Sequence, residues 1–173
     1  MKSGTLLVIG GARSGKSAYA EQLVAKSGLE QLYLATARAG DAEMEERIAH
    51  HRARRGPAWR VLEEPDGLEA ALAKNAGAEC AILVDCLTLW LSNLMLAGAD
   101  LTERTERLCR TLAILPGLAV LVSNEVGMGL VPDNRLGRDF RDAQGRLNQA
   151  VAATADKVAF VAAGLPFYLK GAP

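Results

Sequence analysis

Gly10-Gly11-Ala12-Arg13-Ser14-Gly15-Lys16-Ser17 decides the fold of this 173-residue chain. An apolar run, Thr5-Leu6-Leu7-Val8-Ile9, leads into it, and Ser17-Ala18-Tyr19-Ala20-Glu21-Gln22-Leu23-Val24 leads out with the apolar spacing of a helix. A buried strand, a glycine-rich turn ending in Lys-Ser and a helix together make a phosphate-binding loop. Gly10, Gly11 and Gly15 let backbone N–H groups approach an anion closely, and the helix that starts near Lys16 adds its own unpaired N–H groups. Lys16 reaches the β and γ phosphates, and the Ser17 hydroxyl suits Mg2+. Nucleoside triphosphate binding is the first functional expectation.

Outward from this loop, the chain alternates strand and helix. Strands are expected at Gln31–Thr36, Trp59–Glu63, Cys80–Asp85, Leu118–Ser123 and Lys157–Ala162. Helices are expected at Asp41–Arg55, Pro65–Ala76, Leu87–Leu96, Thr102–Leu115 and Leu136–Ala155. Strands apolar on both faces, joined by helices, imply an α/β fold with a mostly parallel central sheet and helices on both faces. Ligands of such sheets sit at the carboxyl ends of the strands, which places residues 10–17, Thr36, Glu63, Asp85 and the segment after Ser123 on one rim.

The length suits one domain spanning residues 1–173. Twenty Lys and Arg balance twenty Asp and Glu, so nothing in the net charge calls for nucleic acid or a membrane surface. Cys80, Cys86 and Cys109 form no C-x-x-C pair and read as reduced, mostly buried thiols of a cytoplasmic protein. The apolar run before Gly10 is too short for a signal peptide. Asp85, Thr88, Ser92 and Asn93 interrupt the most apolar stretch, Ala81–Gly98, so no membrane insertion is expected.

Ala81-Ile82-Leu83-Val84-Asp85 has the form of a strand ending in a metal-binding carboxylate, although an acid before a helix also serves as a cap. The helix at 41–55 carries both histidines. On a helical wheel Met44 and Ile48 mark an inward stripe, with His51 about 60° and His50 about 160° from Ile48. His50 therefore shares a cationic surface with Arg47 and Arg54. That surface is either a solvated polar face or a phosphate-handling patch in which neutral imidazole is a nucleophile. Residues 123–135 are either an ordinary glycine-turned loop or a substrate loop. The helix after them is unusually polar and carries Gly145, which suits docking on another subunit.

Taken together, GGARSGKS, the E-M-x-x-R-I-x-H-H pattern ending at His51, DCLTLWLSNL from Asp85, NEVGMGLVP from Asn124 and RDFRDAQGRLNQ from Arg138 carry a family resemblance. From Leu6 to Lys170 the chain resembles the bifunctional adenosylcobinamide kinase/adenosylcobinamide-phosphate guanylyltransferase family of cobalamin biosynthesis. The resemblance implies a P-loop nucleotide-binding fold of the RecA-like kind. It implies phosphorylation of adenosylcobinamide by ATP or GTP, then transfer of GMP from GTP to adenosylcobinamide phosphate through a guanylyl-histidine. His50 matches the family's nucleophile, and Lys16 is the second catalytic expectation. The implied nucleotide contacts are Gly10, Gly11, Ala12, Arg13, Ser14, Gly15, Lys16, Ser17, Ala35, Thr36, Ala37, His51, Arg52, Ala53, Arg54, Glu63 and Asp85. Ser17 and Asp85 are the expected Mg2+ ligands, and a homotrimer is the implied assembly. A simple P-loop small-molecule kinase and a nucleotide-gated interaction protein are the alternatives on the residues alone.

Overall fold

A computed structural model describes residues 2–38 and 56–172. The helix expected over Asp41–Arg55, with both histidines, lies outside the described residues. The described elements are β1 (Gly4–Gly10), α1 (Lys16–Ser27), β2 (Glu30–Ala35), β3 (Trp59–Glu63), α2 (Leu68–Asn75), β4 (Cys80–Asp85) and α3 (Leu87–Leu96). They continue with α4 (Leu101–Ala113), β5 (Leu118–Asn124), α5 (Arg135–Thr154), β6 (Lys157–Ala162) and β7 (Leu165–Lys170).

The strands form one sheet in the order β3-β2-β4-β5-β1-β6-β7, parallel throughout except for β7. Successive residues of β1 feed opposite faces, as a strand's two-residue period requires. Leu6 and Val8 join the cluster with Ala20 and Val24 of α1, while Leu7 joins Leu68, Leu87, Trp90, Leu108 and Leu147 from the other four described helices. Helices thus cover both faces, as the apolar runs lead one to expect.

Local side chains set the helix boundaries. Glu64 Oε1 accepts the N–H groups of Asp66 and Gly67, at 3.3 and 2.8 Å, so α2 starts at Leu68 rather than Pro65. Asp100 caps α4 by accepting from Thr102 and Glu103 at 2.9 and 3.0 Å. In α5 the buried positions are Gln144, Leu147, Asn148 and Val151, a helical stripe in which two members are polar. The C-terminal half of this helix therefore packs on its own sheet. Its polar look comes from those two buried amides and from the exposed first turns.

Strand β7 is an addition to the expected elements. Ala163 and Gly164, both with positive φ (51° and 80°), turn the chain back on β6. Paired positive φ values suit the twist of a hairpin. Pro166 lies in β7 at the sheet edge, where strands tolerate proline.

Candidate functional site

The register brings the expected rim together. Gly10 stands opposite Asn124, and Ala35 opposite both Glu63 and Asp85. Strand β5 lies between the strand that carries the loop and the strand that carries Asp85.

The loop after β1 is held tightly. A Cβ on Gly10 would lie 2.4 Å from the Val161 carbonyl and 2.7 Å from Ser14 Oγ, so the loop's first position takes no side chain. Gly15 has φ 94°, and the Gly164 N–H donates to the Ser14 carbonyl at 2.8 Å, so the β6–β7 turn buttresses the loop. Lys16 opens α1 and is only 8% exposed. Its Nζ reaches back to donate to the Gly11 carbonyl at 3.0 Å. Burial lowers its pKa, while the charges of Cys86 and Asp85 act in the opposite sense. Ser14 Oγ is buried with no hydrogen-bond partner among the described residues. A buried lysine satisfied by one carbonyl and a buried unpaired hydroxyl, on a loop of backbone N–H groups, fit a polyphosphate.

Asp85 is not a helix cap. The N-cap of α3 is Cys86, without a side-chain cap bond. The Asp85 carboxylate instead accepts from the Tyr33 hydroxyl at 2.7 Å. The Asp85–Cys86 peptide bond is cis, and Thr36, just past the end of β2, clasps it. Thr36 Oγ1 donates to the Cys86 carbonyl at 2.7 Å and accepts from the Cys86 N–H at 2.9 Å. The Asn93 amide donates to the Thr36 carbonyl at 2.8 Å. Thr36 is fully buried in this clasp, which leaves Ala35 and Ala37, both half-buried, as the surfaces its segment offers.

Burial raises the Cys86 thiol to about 11, which makes it an inert buried group rather than a nucleophile. Cys80 and Cys109 are half-buried, and all three cysteines are free.

Among the described residues no group of three or more His, Cys, Asp or Glu is placed to hold a metal ion. The donors on offer are the half-buried Ser17 hydroxyl and the Asp85 carboxylate, both hard oxygen ligands. That set fits Mg2+, which takes one or two protein oxygens and completes its shell with phosphate and water. Glu63 ends the edge strand β3, four strand spacings or roughly 19 Å from β1. Ala12 and Arg13 are exposed on the loop, with Arg13 at φ 56°. His50, His51, Arg52, Ala53 and Arg54 lie outside the described residues.

Two features of the site escape sequence reading. Tyr33 looks like any aromatic strand residue until β2 is set beside β4. The second is a buried polar network of Ser123, Gln144 and Asn148 at the end of β5. Its one signal is the Gln-Asn pair four residues apart on the inward stripe of α5.

A family model for cobinamide kinase/cobinamide phosphate guanyltransferase matches residues 6–169. The chain is 53% identical over 169 residues to the bifunctional adenosylcobalamin biosynthesis protein CobP of Pseudomonas aeruginosa, covering 96% of this chain and 98% of that protein. It is 40% identical over 180 residues to CobU of Salmonella typhimurium, with 95% and 99% covered. Among solved structures the fold is similar to the RadB recombinase, with a TM-score of 0.54 at 16% identity over 91% of this chain and 73% of that one. It is also similar to the flagellar accessory protein FlaH of Methanocaldococcus jannaschii, with a TM-score of 0.54 at 11% identity over 96% and 78%. At such identities these two likenesses speak for the P-loop, RecA-like fold alone.

Proposed function

This chain belongs to the cobinamide kinase/cobinamide phosphate guanyltransferase family, and from that membership we propose how its residues divide the two reactions. It is a transferase of cobalamin biosynthesis that phosphorylates cobinamide and then guanylylates the phosphate. We assign adenosylcobinamide and adenosylcobinamide phosphate as its acceptors, GTP as the GMP donor, and ATP or GTP as the phosphoryl donor. The observation that carries this reading is the buried Lys16 spanning its own loop, 3.0 Å from the Gly11 carbonyl. An entering phosphate offers that cation a charged acceptor in place of a neutral one, which makes a shorter and stronger bond.

In the kinase step the loop amides of residues 10–17 and Lys16 hold the β and γ phosphates and stabilise the charge that develops there. Mg2+, held by Ser17 and Asp85, would supply further charge neutralisation on the phosphate oxygens. In the transferase step an imidazole nitrogen of His50 bonds to the α-phosphorus while the bond from that phosphorus to the bridging oxygen breaks. Pyrophosphate leaves. A phosphate oxygen of the acceptor then displaces the imidazole, giving adenosylcobinamide-GDP and restoring His50. Arg47, Arg54 and Lys16 are assigned to the charge of that passage.

Eleven residues lie between Arg38, past the end of β2, and His50, a tether of at most roughly 40 Å. Strands β2 and β1 are three spacings apart, about 14 Å, so the tether allows delivery to the loop. Ala35, Ala37, His51, Arg52, Ala53 and Glu63 are assigned to the guanosine, whose base lies on the β2–β3 side of the rim. The protein works as a single nucleotide-binding domain in the cytoplasm, without nucleic acid, and assembles as a homotrimer. Among the described residues no helix is long and apolar enough to cross a membrane.

Incubation with adenosylcobinamide, GTP and Mg2+ should yield adenosylcobinamide phosphate and then adenosylcobinamide-GDP by mass spectrometry. Lys16→Ala should lower both rates by about 100-fold or more. Full turnover of either step by that variant would contradict one shared phosphate grip.

A further inference from the structure

Buried polar groups from two helices converge on the last residues of β5, and the nucleotide grip uses none of them. Ser123 Oγ donates to Asn148 Oδ1 at 2.7 Å and accepts from Gln144 Nε2 at 2.9 Å. The Asn148 amide donates to the Asn124 carbonyl at 3.0 Å, and the Asn124 N–H donates to Thr88 Oγ1 at 2.8 Å. Ser123 and Gln144 are wholly buried, and Gln144 Oε1 has no partner among the described residues. A buried network that is not fully satisfied costs stability, and its return is positional definition.

What it positions is Glu125, the next residue. The Glu125 N–H donates to the Gly10 carbonyl at 3.0 Å, which pins it beside the start of the phosphate loop. Its Oε1 accepts from the Gly127 N–H. The second carboxylate oxygen has no protein donor among the described residues. Other carboxylates of the rim are less well placed. Glu63 is four strand spacings from the loop strand, whereas β5 is one, roughly 5 Å. Asp85 is already bonded to Tyr33 and assigned to the metal.

We propose that Glu125 is a catalytic residue of the kinase step and that Ser123, Gln144, Asn148 and Thr88 are its positioning residues. This assignment rests on the kinase reading above. The acceptor hydroxyl donates to the free Glu125 oxygen, which aims its lone pair at the γ-phosphorus. As the new O–P bond forms, the hydroxyl proton passes to the carboxylate. The bond from the γ-phosphorus to the β,γ-bridging oxygen breaks, and its electron pair leaves with the nucleoside diphosphate.

The two half-reactions of the full-length protein separate this role from a structural one. In Glu125→Gln we expect kinase kcat to fall about 100-fold or more, with acceptor KM and guanylyl transfer to supplied adenosylcobinamide phosphate each changing by less than about 3-fold. Glu125→Asp, which keeps a carboxylate, should retain clearly more kinase activity than Glu125→Gln. Kinase kcat within about 3-fold of wild type in Glu125→Gln, parallel loss of both reactions, or equal activity of the two variants would each overturn the assignment. A wild-type protein inactive as a kinase would overturn the kinase reading and this assignment together, a result distinct from a variant-specific loss.

Discussion

Lys16 and Tyr33 show how single side chains prepare this site. Burial lowers the pKa of Lys16, and the neighbouring Asp85 carboxylate acts in the opposite sense. Tyr33 does the complementary work for the carboxylate. Its hydroxyl, 2.7 Å from Asp85 Oδ2, fixes the orientation of the acid. Tyr33→Phe should leave the fold intact and raise the Mg2+ concentration for half-maximal kinase rate about 10-fold, with a matching loss in calorimetric Mg2+-nucleotide binding. An unmoved midpoint would show that Asp85 needs no such support. The strand, loop and helix that carry Lys16, Ser17 and Asp85 were legible in the sequence from their spacing and flanking runs. Tyr33 was not, because its role depends on a register between strands fifty residues apart in the chain.

At the scale of elements, α2 and α4 are joined by an ion pair at the edge of the core. Arg104 Nε meets Glu69 Oε1 at 2.8 Å, and a second guanidinium nitrogen meets Oε2 at 2.9 Å. The same guanidinium lies 5.7 Å from the Trp90 ring centroid and donates to the Asp66 carbonyl. Because Glu69 is only 5% exposed, Arg104→Ala strands a buried carboxylate. We expect a loss of about 3 kcal/mol in urea unfolding, and a loss under about 1 kcal/mol would mean that water replaces the guanidinium at little cost. Neither helix's sequence marks this contact, since Arg104 looks like one more charge on a charged helix. The β7 strand was hidden for a related reason. Ala163-Gly164 lacks the asparagine or aspartate of a strong hairpin signal, and Pro166 argues against a strand unless the edge position is known.

At the scale of the whole molecule, strand order explains both the site and the surfaces around it. Placing β5 between β1 and β4 sets the phosphate loop, the β5 end and Asp85 side by side along one rim. The alternation of apolar runs made the parallel sheet and its rim legible, but not the strand order, which depends on contacts between distant segments. Among the described residues, two surfaces group exposed apolar side chains. One is the loop after β5, where Met128, Leu130 and Val131 stand out and Leu130 is 96% exposed. The other is the face of β7 that carries Leu165, Phe167 and Leu169, with Phe167 67% exposed. Two unlike patches on one chain suit a head-to-tail contact that closes into a ring, which agrees with the proposed trimer. Light scattering behind gel filtration should give three times the chain mass for the wild type and a lower mass for Phe167→Glu. A wild-type monomer would contradict the proposed assembly.

The most direct test lies with His50. After incubation with α-labelled GTP and Mg2+, and no cobinamide, we expect the wild-type protein to retain label that is lost in acid and kept in base, as a phosphoramidate bond requires. His50→Ala should retain none while still binding GTP with about wild-type affinity. Equal labelling of wild type and variant, or an unlabelled wild type that still produces adenosylcobinamide-GDP, would contradict transfer through this histidine.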